Sequence, residues 1–132
     1  MFFTKKMSLV LILIGCISIC AATLTHPANE FKNLKVLPKK VSSKELSRIM
    51  VDEFTDGLGV SCGFCHKEDK ESHKLDYASD ENPEKQIARQ MMRMAVRINR
   101  RYFKTGHAII GDSALIVTCY TCHRGTPRPA TQ

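Results

Sequence analysis

The 132 residues have room for one domain, and too few of them are apolar to fill a large conventional core. Twenty Lys and Arg against 13 Asp and Glu leave a formal charge of +7, an excess that ordinarily points to a polyanionic partner.

The chain opens on a short basic head, Met1 to Lys6, followed by an uncharged run from Met7 to Cys20 and the small residues Ala21 and Ala22. That is the layout of a secretory signal peptide, with cleavage expected after Ala22. The run is short for a membrane span, which takes about 20 residues, although an uncleaved N-terminal anchor helix is an alternative. Leu13-Ile14-Gly15-Cys16 resembles a lipobox, which would make Cys16 a lipidated terminus. Otherwise Cys16 and Cys20 are small apolar residues of the signal core. Residues 23–40, with Pro27 and Pro38, read as an extended leader joining this segment to the domain.

Ser42–Gly57 is expected to be a helix. Ser42 and Glu45 make a capping box, with Val41 and Leu46 as its hydrophobic staple. Leu46, Ile49, Met50 and Phe54 share its apolar face. Gly57 is the expected left-handed stop. Cys62-Gly63-Phe64-Cys65-His66 follows directly. Lys67–Asp80 is strongly polar and reads as a loop in which only Leu75 and Tyr77 pack, with His73 at the surface.

Asn82–Lys104 is the second expected helix, started by Asn82 and Pro83 and closed by Gly106. Ile87, Met91, Met94, Ala95, Ile98 and Tyr102 form its apolar stripe, with Met92 well round from it. Arg89, Arg93, Arg97, Arg100 and Lys104 form a basic stripe on the far side, facing solvent, an acidic partner or anionic lipid. His107–Val117 suits a small hairpin or an irregular crossing. Cys119-Tyr120-Thr121-Cys122-His123 then repeats the earlier pentapeptide, and the tail from 127 to 132 should be loose. The domain proper is thus expected over 41–126.

Cys-x-x-Cys-His is the attachment pattern of c-type haem. Two thiols three apart share one helical turn and can form thioethers to the two vinyl groups on one porphyrin edge. The adjacent His then offers an imidazole nitrogen to iron. Cleavage after Ala22 would leave four cysteines, all in the two motifs. The expected cofactors are therefore two covalently bound haems, held by Cys62, Cys65, Cys119 and Cys122, with His66 and His123 as iron ligands. A zinc site would need its Cys pairs closer together, commonly about 15–20 residues apart. A redox or structural disulfide leaves the two His unexplained. Haem propionates would offset much of the positive charge, so nucleic acid is discounted as a partner. Electron-transfer iron takes a second axial ligand, commonly a Met sulfur. Met50 on the first helix, and Met91 or Met94 on the second, sit on apolar faces suited to it. Core filling is the ordinary use of such residues.

Val36–Pro129 resembles the first two-haem half of the photosynthetic reaction-centre cytochrome c subunit family. The resemblance is carried by Leu46–Met50, Cys62–His66, Tyr77–Asp80, Ile87–Met91 with Met94 and Ile98-Asn99, and Val117–Gly125. It implies that a Met from the helix before each motif ligates that motif's haem, naming Met50 for the first and Met91 for the second. The family's subunit typically has four haems, where this chain has two motifs, and its connector carries a His near the place of His107. The expected architecture is mostly α, a small multihaem c-type cytochrome domain of two helix–turn–CxxCH units around two haems. The expected role is one-electron transfer between redox protein partners, exported to the periplasm or anchored facing it, with membrane association through the N-terminus. The rivals are a docking subunit of a larger membrane or photosynthetic complex, and a haem enzyme with an open iron site.

Overall fold

In a computed structural model, which describes residues 31–130, the first helix, α1, spans Ser43–Ile49. The signal, anchor and lipidation readings at 1–30 lie outside the described residues. Ser42 Oγ accepts from the Glu45 amide at 3.2 Å, as its capping role requires. The return half of the capping box is replaced: the Glu45 carboxylate pairs with Arg48 at 2.7 Å instead. Beyond Ile49 the helix widens into a π-helix over Met50–Asp56, where each N–H reaches back five residues rather than four. Gly57 is right-handed, with φ −66, so it is not the stop that its type suggests. The left-handed turn falls at Gly59, with φ +64.

Helix α2 spans Pro83–Tyr102, with Asn82 Oδ1 accepting from the Glu84 amide at 3.2 Å. It ends before Lys104, which takes the left-handed conformation together with Gly106. The face that it buries is not the expected stripe. Lys85, Arg89, Met92, Ala95 and Asn99 are buried, whereas Ile87, Met91 and Met94 are 47, 40 and 47% exposed. Met92, expected off the apolar face, is 5% exposed and belongs to the core with Leu37, Ile49, Ala95, Ala108, Ile110 and Leu115. Burial follows the partners available. The core lies on one side of α2, and the more regular apolar line lies on another.

Arg89 departs from the solvent-facing stripe expected of it. Its guanidinium donates to Asp80 Oδ1 at 2.7 Å and to the Asn33 carbonyl at 3.1 Å. Lys85 Nζ donates to the carbonyls of Tyr77 at 2.8 Å and Ser79 at 2.5 Å. Lys35 and Asn33 complete the ring around Asp80, at 2.5 and 2.8 Å. The Lys35 hydrogen bond, then those from Arg89 and Asn33, hold the Asp80 carboxyl well below the usual carboxylate range. Burial pushes the Lys85 amine below its ordinary value. A pair of long cations inside a small domain is tolerable because each charged head meets two hydrogen-bond acceptors.

The same ring corrects two further expectations. The described part of the leader, residues 31–40, packs on the domain, since Leu37 is buried and Leu34 and Val36 lie against the core. The polar stretch after the first motif is not wholly loop: β1, Lys67–Glu68, pairs antiparallel with β2, Leu75–Asp76. Tyr77 is 64% exposed, although its ring meets His66 edge-on with centroids 5.0 Å apart.

The segment 103–118 is an irregular crossing rather than a hairpin, burying Ala108, Ile110 and Leu115. Gly111, at φ +86, lies so close to Ile49 that a Cβ there would collide with it. Asn99 anchors the end of the crossing and is wholly buried. Its amide donates to the carbonyls of Ala95 at 2.9 Å and Val117 at 2.6 Å. Its oxygen accepts from the amides of Ile116 at 2.8 Å and Val117 at 3.0 Å. Replacing Asn99 by Leu would strand backbone groups at roughly 1–3 kcal/mol each. The expected loss for Asn99→Leu is at least about 3 kcal/mol by denaturant unfolding of the holoprotein. A loss under about 1 kcal/mol would show that this clamp does little.

Candidate functional site: an apolar groove between helix α2 and the second cysteine motif

The two pentapeptides fold differently. Cys119–His123 is a helical turn, α3, with a full capping box in which the Thr118 amide donates to Thr121 Oγ1 at 3.0 Å. In the first motif only Cys62–Phe64 winds, as a 3-10 turn, and Ser61 makes no side-chain cap. Gly63 in place of Tyr120 also raises the cost of helix there, by up to about 1 kcal/mol.

The residues after α3 fix its histidine. Arg124 is left-handed at φ 50, and the Gly125 amide donates to the Gly57 carbonyl at 3.1 Å. Gly57 lies against Cys119, where an added Cβ would come within 3.4 Å of the Cys119 Cβ. Thr126 turns back, its hydroxyl donating to the His123 carbonyl at 2.7 Å. His123 Nδ1 lies 3.0 Å from the Thr126 carbonyl. That oxygen can only accept, so Nδ1 donates to it, and in the neutral ring Nε2 is then the nitrogen with the lone pair.

Between α3 and α2 runs an apolar groove. Ile87, Met91, Met94 and Ile98 form one wall, and Cys119, Cys122 and His123 the other. Phe54 and Leu58 close one end with Phe64 and Cys65 of the first motif, and Pro127 also lines it, so the tail is engaged at its first residue. Of the eight residues expected at the site, Cys65, Cys119, Cys122, His123 and Met91 meet here. Met94 stands beside Met91, so the groove keeps both sulfurs in play. Met92 contributes only where the core reaches the groove.

Three expected residues lie elsewhere. Met50 is partly buried against the core, where α1 becomes the π-helix. Cys62 is exposed. His66 is half-buried, and its Nδ1 is enclosed without a hydrogen-bond partner. Burial, then the nearby Lys85 and Arg89, push its imidazole below the ordinary value. Burial likewise raises the Cys65 thiol and, with Glu53, pushes the Cys119 thiol up to about 12. The four cysteines of the two motifs are free, and among the described residues no three His, Cys, Asp or Glu side chains converge as a zinc site requires. His73 and His107 are exposed.

Several positioning residues are not conspicuous in the sequence. Asn99 follows Met92 and Ala95 at helical spacing, and a polar residue on that line signals a buried hydrogen-bonding role. Thr118 and Thr121 have the spacing of a cap. Nothing local marks Thr126, whose role depends on the left-handed turn before it.

A sequence model described as "Photosynthetic reaction centre cytochrome C subunit" matches residues 14–132. A photosynthetic reaction center cytochrome c subunit of Rubrivivax gelatinosus is 36% identical over 101 residues, covering 75% of this chain and 24% of that protein. One of Thermochromatium tepidum is 36% identical over 115 residues, covering 85% of this chain and 25% of that protein. Cytochrome c-554 of Chloroflexus aurantiacus is 31% identical over 87 residues, 66% of this chain and 19% of that protein. The chain thus spans about a quarter or less of the length of these relatives. No solved structure matches it.

Two glycines near the site should respond oppositely to Ala. Gly59, at φ +64, would drive a Cβ into the Gly125 carbonyl, whereas a Cβ on Gly63 meets only Ser61 Oγ, at 4.0 Å. Gly59→Ala should cost more than about 2 kcal/mol through strain and collision. Gly63→Ala should stay within about 1 kcal/mol of wild type. Thermal unfolding of the holoprotein checks both, and equal effects would contradict the packing of Gly59 on Gly125.

Proposed function

Because the chain belongs to the photosynthetic reaction centre cytochrome C subunit family, we propose that it is an exported dihaem c-type cytochrome carrying single electrons between redox proteins. The observation that carries this reading is the groove. A helix that leaves Ile87, Met91 and Met94 open to solvent leaves them for something flat and apolar. The opposite wall offers two thiols and an imidazole whose free nitrogen is held ready by the Thr126 carbonyl. Those are the donors for covalent haem, and the groove fits that group. Bound there, haem supplies an iron that takes up and releases one electron at a time.

The chain's own residues divide the remaining work. Cys119 and Cys122 would hold the second haem through sulfur, His123 Nε2 would ligate its iron, and Met91 would supply a further ligand. Thr126 fixes the imidazole tautomer and plane, as partners of metal-bound His generally do. The apolar wall excludes water, and thioether ligation favours the reduced iron and so raises the potential. The first motif carries the same donor set in Cys62, Cys65 and His66, and Met50 is its proposed sulfur ligand. If Met50 and Met91 serve as ligands beside the two histidines, each iron would be held by protein donors and left closed to substrate, which favours a carrier over an enzyme.

Export rests on the basic head and apolar run of residues 1–22. Among the described residues no helix is long and apolar enough to cross a membrane. The exported protein should carry two haem masses that survive acid–acetone extraction, and a chain lacking Met1–Ala22 should stay in the cytoplasm without haem. One haem, or haem lost to the organic phase, would overturn the dihaem reading. Holoprotein made from the shortened chain would overturn the signal.

The ligands are tested by substitution with Leu, which keeps volume and apolarity at a packing cost under about 1.5 kcal/mol. Met50→Leu and Met91→Leu should each remove one haem's share of the near-infrared sulfur-to-iron band and lower that haem's potential. Met92→Leu, in the core, should leave the band intact. If Met94→Leu removes it and Met91→Leu does not, the ligand lies one turn further on. Absence of the band from the unsubstituted protein would replace Met by His26, His73 or His107.

A further inference from the structure

Helix α2 carries six basic side chains and one acidic one, and the fold uses them unequally. Lys85 and Arg89 are buried and committed to Asp80 and its neighbours. Arg93, Arg97 and Arg101 are exposed and form no ion pair among the described residues. They recur every fourth residue, so each sits about 40° further round the helix than the last. The ridge therefore climbs from the solvent face towards the groove. It forms one continuous surface with Gln90, Met94, Ile98 and Tyr102, and Met94 and Ile98 line the groove as well. Arg101 also stacks on Tyr102, its Cζ 5.7 Å from the ring centroid.

Three like charges at this spacing repel one another within the helix. Local carboxylates do not relieve the repulsion, although the chain uses them freely elsewhere: Arg48 has both Glu45 and Asp52. An external anion would relieve it. Arg, Met and Tyr together are also the residue types enriched where proteins meet.

The geometry points to Arg93, Arg97 and Arg101, with Met94, Ile98 and Tyr102, as the docking face for an acidic one-electron redox protein, delivering or taking the electron at the groove edge. This deepens the proposed function and rests on haem occupying the groove. Charge complementarity selects the partner. Carboxylates around that protein's own redox centre would meet the ridge, and the short apolar margin would exclude water between the two centres. Charges of this kind act chiefly on the association rate, which makes the rate the quantity to measure.

The test uses the full exported holoprotein, oxidised, with reduced rubredoxin as the acidic probe. One electron passes from ferrous rubredoxin to one ferric haem, leaving ferric rubredoxin and ferrous haem. Haem content is measured on the same preparation. The second-order rate should fall with added salt. In the triple variant Arg93→Gln, Arg97→Gln, Arg101→Gln it should drop about tenfold at low salt and lose most of its salt dependence. A basic small cytochrome c as donor should show no such loss. Arg100→Gln, on the same helix off this ridge, should leave the rubredoxin rate near wild type and serves as the folding-matched control.

A haem-loaded triple variant with an unchanged rubredoxin rate overturns the docking face and leaves the haem reading intact. If the triple variant shifts the midpoint potential or spectrum, the arginines serve haem propionates and the proposal falls. If it loses binding to phosphatidylglycerol vesicles while the rubredoxin rate is unchanged, the ridge is a membrane contact. A preparation without haem overturns both readings.

Discussion

Helix α2 carries apolar residues on two lines roughly a third of a turn apart, and the protein covers one of them. Met92, Ala95 and Asn99 meet the leader, α1 and the crossing, while Ile87, Met91 and Met94 are not buried by any of the described residues. A chain with so small a core cannot close a second one from its own side chains. The remaining elements follow from that shortage. The crossing is clamped by Asn99 so that α3 stands opposite the open line. The end of the π-helix comes up beneath α3, and the turn at 124–126 is pinned to Gly57. The groove is the space that this arrangement leaves.

Features read from the sequence with success were local ones. Ser42 and Asn82 start their helices because a side-chain oxygen can reach an amide two or three residues on, whatever surrounds it. The regular apolar line on α2 was also legible, and so was its association with the second motif. What periodicity could not supply was the destination of that line, because a face prepared for a cofactor and a face prepared for a core have the same spacing. Met92 was placed outside the stripe for that reason, although it is one of the more deeply buried side chains.

Long-range pairings account for most of the remainder. Arg89 belongs by spacing to a basic stripe, and only the approach of Asp80 and of the Asn33 carbonyl makes it a buried residue. Leu37 looks like part of a tether until Ile49 and Ile110 are beside it. Gly57 reads as a helix stop, yet it is right-handed, and its carbonyl accepts from the amide of Gly125, which lies far along the chain. The two pentapeptides look equivalent in sequence, but only the second has threonines on both sides of its first turn to set the helix before any cofactor arrives. The first therefore depends more on what surrounds it, including the hairpin and the buried cations near His66.

The widened turn at Met50–Asp56 has a consequence for how this stretch tolerates change in length. A helix whose amides reach back five residues takes more residues to complete each turn than one whose amides reach back four. Side chains beyond it are accordingly out of phase with those of α1, and Phe54 and Leu58 face the groove in that shifted phase. Losing a single residue here would rewind everything downstream, carrying Gly57 away from Cys119 and turning Leu58 off the groove. The damage would be a rotation of one half of the site against the other, with no individual side chain at fault.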